Sequence, residues 1–140
     1  MALLPTGSVY SDTDALREFG QTVKLVKGDQ GGELQLTLKD SNTAAEGQTL
    51  DEDDSSTWAP LDLTGSTALL KLRAEGSSTV KTSVPMYHMG PPTEGKLFLQ
   101  WPQAALDTAG NFTGELELTY SSGRVLTVYK ELRFQIREDY

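Results

Sequence analysis

The clearest feature of this chain is a period of two. In "ELQLTLKD", Leu34, Leu36 and Leu38 fall on one side, with Glu33, Gln35, Thr37 and Lys39 on the other. "GELELTY" sets Leu116, Leu118 and Tyr120 against Glu115, Glu117 and Thr119. "GKLFLQW" gathers Leu97, Leu99 and Trp101 and turns Lys96, Phe98 and Gln100 outward. Successive side chains of a strand point to opposite faces, so this alternation predicts half-buried antiparallel strands. Weaker strands are expected at 22–26, 67–73 and 79–84, with Ala68, Leu70 and Leu72 as the inward set of the second. The last segment, "RVLTVYKELRFQIRE", keeps Leu126, Val128, Leu132, Phe134 and Ile136 in one parity, and Lys130 interrupts the row. A single strand of that length would run about 50 Å at roughly 3.3 Å per residue, against about 20 Å for an ordinary strand. A kink near Lys130 that divides it in two is therefore expected.

Turn chemistry separates these runs. "YSSGR" (120–124) and "AEGSST" (74–79) read as hairpin turns, and "GDQGG" (28–32) as a third that joins the first two strands. "GPPTEG" (90–95) is a stiff connection, because Pro91 and Pro92 cannot donate to a ladder. "PQAALDTAG" (102–110) suits one helical turn with Pro102 at its first position and Gly110 ending it. Near the start, "SDTDALREFG" (11–20) is a helix candidate with Ser11, Asp12 or Thr13 as N-cap and Gly20 as the stop. It is too short to be stable alone. Frequent short strands with almost no helix predict a two-sheet antiparallel sandwich of about seven or eight strands over residues 21–140. Residues 40–60 form a long loop within it. Residues 1–20 form an arm that carries Leu3, Leu4, Val9, Tyr10, Leu16 and Phe19. It is too apolar for a free tail, and it either packs along the sandwich or, the favoured reading, reaches onto a neighbour.

Composition narrows the chemistry. The 140-residue chain suits one domain with one core. It has no cysteine, which excludes disulfides, thiolate metal sites and cysteine nucleophiles. A net charge of -8 and a pI near 4.5 argue against nucleic acid and against docking on anionic lipid. "MALLPTGSVY" lacks the basic n-region of a signal peptide, and no apolar run reaches membrane-spanning length. Soluble synthesis in a cytoplasm is the expectation.

No catalytic constellation emerges, and no cofactor is expected. The acidic run Asp51, Glu52, Asp53 and Asp54 lacks the sixth-position glycine and closing Glu of an EF-hand, so it reads as a solvated loop, with adventitious calcium as the lesser alternative. His88 is the single histidine and sits among apolar residues, which favours a packed or surface role over general base chemistry. Glu115 and Glu117 share one strand face, most simply the solvated one. Trp58, in the long loop before Pro60, either folds over one end of the sandwich or stands out as an anchor for a partner or a sugar ring. Phe98 and Leu69 point away from the predicted core and need covering.

The order of these pieces carries a resemblance. "GELQLTLKD", "LDLTG", "STALLKLR", "TVKTSVPM" and "EGKLFLQW" are followed by a stretch from Trp101 through "DTAG" to Phe112, then "GELELTY", "SSGR" and a strand ending "FQIRE". The set resembles the immunoglobulin-like N-terminal domain of phage baseplate upper proteins and related virion β-sandwich domains, over roughly residues 22–138. The resemblance implies a non-enzymatic structural protein of a tailed-phage particle, made in the bacterial host. Such a domain would bind other virion proteins around a symmetric axis as a homo-oligomer. It transfers no functional residue, since the shared positions are fold-forming, and it leaves baseplate or tail, neck, fibre and capsid-associated roles open. The partner-binding candidates are Leu3, Leu4, Tyr10, Leu16 and Phe19 of the arm, with Trp58 and Phe98. The alternative is a module for carbohydrate or a host cell surface, using Trp58 and the acidic loop.

Overall fold

A computed structural model describes residues 6–11, 16–18, 21–29, 31–51, 53–128 and 131–138. The strands are β1 (Thr6–Ser11), β2 (Leu16–Glu18), β3 (Thr22–Val26), β4 (Glu33–Ala44), β5 (Trp58–Pro60) and β6 (Ser66–Ala74). They continue with β7 (Val80–His88), β8 (Lys96–Gln100), β9 (Gly110–Tyr120), β10 (Val125–Thr127) and β11 (Leu132–Arg137). Three short 3-10 turns are the only helical elements among the described residues. The strands join in one curled sheet in the order β2-β1-β4-β8-β7-β6-β9-β11-β3, with β5 also on β4 and β10 also on β9. β7 is the corner: its body pairs with β6, while Tyr87 and His88 pair with Phe98 and Leu97 of β8. The two halves thus face each other across a common interior, the expected sandwich-like all-β fold.

The alternation sets which side faces that interior. Leu34, Leu36, Leu38, Leu97, Leu99 and Trp101 line one half; Leu70, Leu72, Leu116, Leu118, Phe134 and Ile136 line the other, all buried. The outward partners on the same strands are exposed or half-buried. At about 25 cal/mol per Å2 of apolar area removed from water, such a leucine face is the main favourable term in folding.

The last segment is divided as the parity argument requires. β10 pairs with the Glu117–Thr119 end of β9 and β11 with its Gly110–Gly114 end, and Lys130 itself lies outside the described residues. The hairpins at 74–79 and 120–124 also form. In the latter, the Gly123 amide donates to the Tyr120 carbonyl and the Tyr120 amide to the Arg124 carbonyl, both at 2.8 Å.

Four expectations need correction. First, "GDQGG" is not a hairpin. β3 pairs in parallel with β11, and β4 lies between β1 and β8 in the other half, so the chain passes from one half to the other between β3 and β4. The Gly28 and Gly31 amides are taken up by the carbonyls of Leu106 and Trp101. The sheet is therefore mixed and not wholly antiparallel. Second, the helix expected within 11–20 is absent from the described part. Ser11 ends β1, and Leu16–Glu18 pairs with it as β2; a segment this short cannot hold a helix unaided, whereas a neighbouring strand supplies its hydrogen bonds. Third, the described part of the arm takes the other of its two courses and packs along the sheet: β1 lies antiparallel along the chain's own β4, from Thr6–Lys39 to Ser11–Leu34. Fourth, the loop expected over 40–60 is shorter, because β4 runs on to Ala44 and β5 returns against it.

Gly95 pins the seam between β4 and the β5–β6 connection. Its φ is +71°, and a Cβ there would lie 2.4 Å from the Leu38 carbonyl oxygen and 3.1 Å from the Leu61 amide nitrogen. The Leu38 amide in turn donates to the Gly95 carbonyl at 2.8 Å, and the Leu61 amide to the Leu38 carbonyl at 3.0 Å. A left-handed backbone costs a side-chain-bearing residue about 1–2 kcal/mol, and here backbone overlap is added. Gly76 has a similar φ of +83° but open space around it. Urea unfolding should therefore show Gly95→Ala destabilising by roughly 3 kcal/mol or more and Gly76→Ala by only about 1–2 kcal/mol; equal losses would contradict the close approach.

Candidate functional site

The end of the sheet that gathers the loops 45–57, 61–65, 89–95 and 121–124 holds the acidic run, Trp58 and, beside it, His88. The registers Thr37–Lys96 and Ser66–Tyr120 and the β4–β5 pairing bring these loops together.

Trp58 opens β5 and is 5% exposed. Its indole Nε1 donates to the Asp51 carbonyl at 2.9 Å, so the ring closes over the base of the acidic loop with its polar atom already engaged. Thr57, also buried, adds donation from Oγ1 to the Asp54 carbonyl at 2.7 Å and receives the Asp51 amide at 3.0 Å. Of the two positions considered for Trp58, the ring takes the one that plugs the fold, and it offers no exposed platform.

The acidic run above it is held by its own backbone turns. The Asp51 carboxylate accepts from the Asp53 amide and the Asp54 carboxylate from the amide and hydroxyl of Ser56. These Ser56 hydrogen bonds are the main reason that the Asp54 carboxyl is held below its ordinary value. Asp51, Asp53 and Asp54 are exposed. Among the described residues no group of three or more His, Asp or Glu side chains gathers as a metal site.

"LDLTG" closes the same end. Leu61 and Leu63 are buried, and between them the Asp62 carboxylate accepts from the amide and hydroxyl of Thr64. The Tyr120 hydroxyl donates to the Asp62 carbonyl at 3.0 Å, with the Arg124 guanidinium 4.8 Å from the Tyr120 ring centroid. Burial raises the Tyr120 pKa, and the Arg124 charge opposes that rise.

His88 meets a residue that the sequence did not single out. Its Nε2 lies 3.4 Å from Ser66 Oγ, across the point where β6 and β7 part. Ser66 is buried and donates its hydroxyl hydrogen to the Leu63 carbonyl at 2.6 Å, so it is not a nucleophile poised by the histidine. Only the turn residues before Ser66 hinted at its position; the contact is set by where β7 changes partners. Glu117 pairs with Lys71 at 2.9 Å on the outer face, and this hydrogen bond is the main cause of the raised Lys71 pKa. The glutamate pair is thus an ordinary solvated strand feature.

On the outer face, Phe98 is half-buried and packs against Tyr87, ring centroids 6.1 Å apart, and Tyr87 is 59% exposed. Leu69 stands opposite Pro85 beside them. The register continues from Phe98 to Gln35, then to Tyr10 and Leu16. Three of the partner-binding candidates, Leu16, Tyr10 and Phe98, therefore occupy one cross-strand row with Tyr87. Leu3, Leu4 and Phe19 lie outside the described residues.

Comparison with known proteins identifies this arrangement. A family model described as the BppU N-terminal domain matches residues 20–140. No curated protein matches the chain. Two solved structures overlay nearly its full length: CopC from Methylosinus trichosporium OB3b (TM-score 0.44, 7% identity, 96% of each chain) and the PmoD soluble domain from Methylocystis sp. ATCC 49242 (Rockwell) (TM-score 0.48, 10% identity, 98% of each chain). At those scores neither likeness bears on what this chain does.

Two outcomes test the loop geometry. Trp58→Phe should cost about 1 kcal/mol by losing one hydrogen bond, with faster amide exchange confined to the loop it closes; unchanged exchange there would contradict the plug. Asp54, with its depressed pKa, favours the capped loop above its ordinary value of 3.8, and that contribution fades as pH falls through the lowered pKa. In an NMR carboxyl titration Ser56→Ala should move the Asp54 midpoint up toward 3.8; an unmoved midpoint would assign the shift to another cause.

Proposed function

The chain belongs to the BppU N-terminal domain family, that of phage baseplate upper proteins, and from that premise we propose that it is a non-enzymatic structural component of a tailed-phage particle. It is made in the host cytoplasm and assembles there with other virion proteins and with copies of itself. The observation that carries this reading is the extent of the family match, which spans the sheet from β3 to its last strand. The chemistry supports it: Ser66 spends its hydroxyl on a backbone carbonyl, and the acidic run on its own amides.

The assembling parts are the arm and the outer row. The β1–β2 pair lies before the matched region, and among the described residues β2 is the last strand at that end of the sheet. An edge of that kind accepts another strand through main-chain hydrogen bonds. The register row from Leu16 and Tyr10 to Phe98 and Tyr87 begins at this edge, so a neighbour that adds there and reaches across β1 and β4 also meets the half-buried Phe98 and the exposed Tyr87. Leu3, Leu4 and Phe19 join the contact residues of this reading on their apolar character alone, and Trp58 serves it indirectly by holding the loop in shape.

Deleting residues 1–20 tests this. β4 keeps its ladder with β8 when β1 is removed, so the truncated chain should remain a folded monomer by circular dichroism and light scattering. It should fail to enter particles. Normal incorporation of the folded, truncated chain would contradict the reading.

A further inference from the structure

The corner in β7 opens a groove. The β6–β7 ladder ends at the Ala68–Met86 pair, and the next residues of β7 turn to β8. Between the parted strands lies a space of about 230 Å3, with Ser66 and His88 at its polar side and Thr67, Pro85 and Tyr87 at its rim. We propose that this groove receives an arginine side chain from a neighbouring virion protein.

Three observations converge on that occupant. The polar side of the groove accepts at Ser66: its Oγ has given its hydrogen to the Leu63 carbonyl, so one lone pair faces His88 Nε2 at 3.4 Å and the second is left for an incoming N–H donor. The rim presents an aromatic face, since Tyr87 is 59% exposed and tyrosine attracts a cation placed over its ring. The surroundings are acidic. Asp62 lies in the turn that leads into Ser66, Glu94 in the connection that follows His88, and Glu46, Asp51, Asp53 and Asp54 in the loop at the same end. Among the described residues Lys39, Lys96 and Arg124 are the basic side chains there, and Lys96 faces Glu94 while Arg124 lies at the Tyr120 ring.

The charge also selects the kind of partner. Two copies meeting through this end would bring like-charged poles together in a chain of net charge -8. A different protein with a basic segment is complementary. Arginine fits better than lysine, because its planar guanidinium stacks on an aromatic ring while still donating at its edge. This inference rests on the assembly role for the nature of the occupant; it concerns another surface from the arm and shares Tyr87 with the outer row.

The test is an NMR titration of the full chain with the capped peptide acetyl-Gly-Gly-Arg-Gly-Gly-amide, set against the same peptide with citrulline, which keeps the shape and loses the charge. Saturable amide shifts are expected at Thr67, Tyr87 and His88. Citrulline should weaken binding at least tenfold, as should Tyr87→Ala, an exposed position that leaves the core intact; Val125→Ala, also exposed, should change nothing. Absence of saturable shifts at those residues would overturn the proposal. So would equal binding of the citrulline peptide, an unaffected Tyr87→Ala, or shifts confined to residues 45–57. Because the titration uses the chain alone, such a result removes the arginine site and leaves the test by arm deletion undisturbed.

Discussion

The ladder between β6 and β9 is the constraint on which the other strands depend. It runs without a break from the Ser66–Tyr120 pair to the Ala74–Phe112 pair. It turns Ala68, Leu70, Leu72, Phe112, Leu116 and Leu118 toward one side. Within that row Gly114 supplies the gap: a Cβ there would fall 2.8 Å from Phe134 and 3.1 Å from Leu70. Phe134 of β11 fits into that gap and meets Trp101 edge-on, ring centroids 5.6 Å apart, from the facing half of the sheet. One residue without a side chain thus lets an aromatic pair link the two halves. The interior is close-packed, so a change in volume at Gly114 would be felt at Trp101.

From this ladder the sheet grows outward in both directions and turns its corner at β7. The corner has two consequences for function. It moves Tyr87 from the ladder with β6 onto β8, where it meets Phe98 and completes the outer row that leads to the arm. It also leaves β6 and β7 parted at their ends, with Ser66 and His88 facing across the opening. The same change of partner places both.

Much of the fold was legible in the residues because burial on one face writes a period of two into a strand. The inward sets of β4, β6, β8, β9 and β11 follow directly from it, as does the break between β10 and β11. What was not legible depends on which strands become neighbours. "GDQGG" has the composition of a hairpin turn, yet β3 finds β11 instead of β4, and no local preference of those glycines encodes that choice. The arm's "SDTDALREFG" has cap and stop residues of a helix, but β4 offers a whole edge of backbone partners, and tertiary pairing prevails over local propensity. Of the candidate site, the outward parity of Phe98 was readable from alternation alone. The coincidence of Phe98 with Tyr10 and Leu16 in one row was not, since it needs the register of three ladders. Ser66 was missed for the same reason: its meeting with His88 exists only because β7 leaves β6.

The central claim is that this chain acts by presenting the arm and the outer aromatic row to other proteins of the particle. The most direct measurement is site-specific photocrosslinking in purified particles, with a photoreactive phenylalanine placed at Phe98 and, as a comparison, at the exposed Val125 on the far half of the sheet. The predicted result is a discrete adduct between the chain and another virion polypeptide from position 98 and none from position 125. Particles that contain the chain yet give no adduct from position 98 would contradict it.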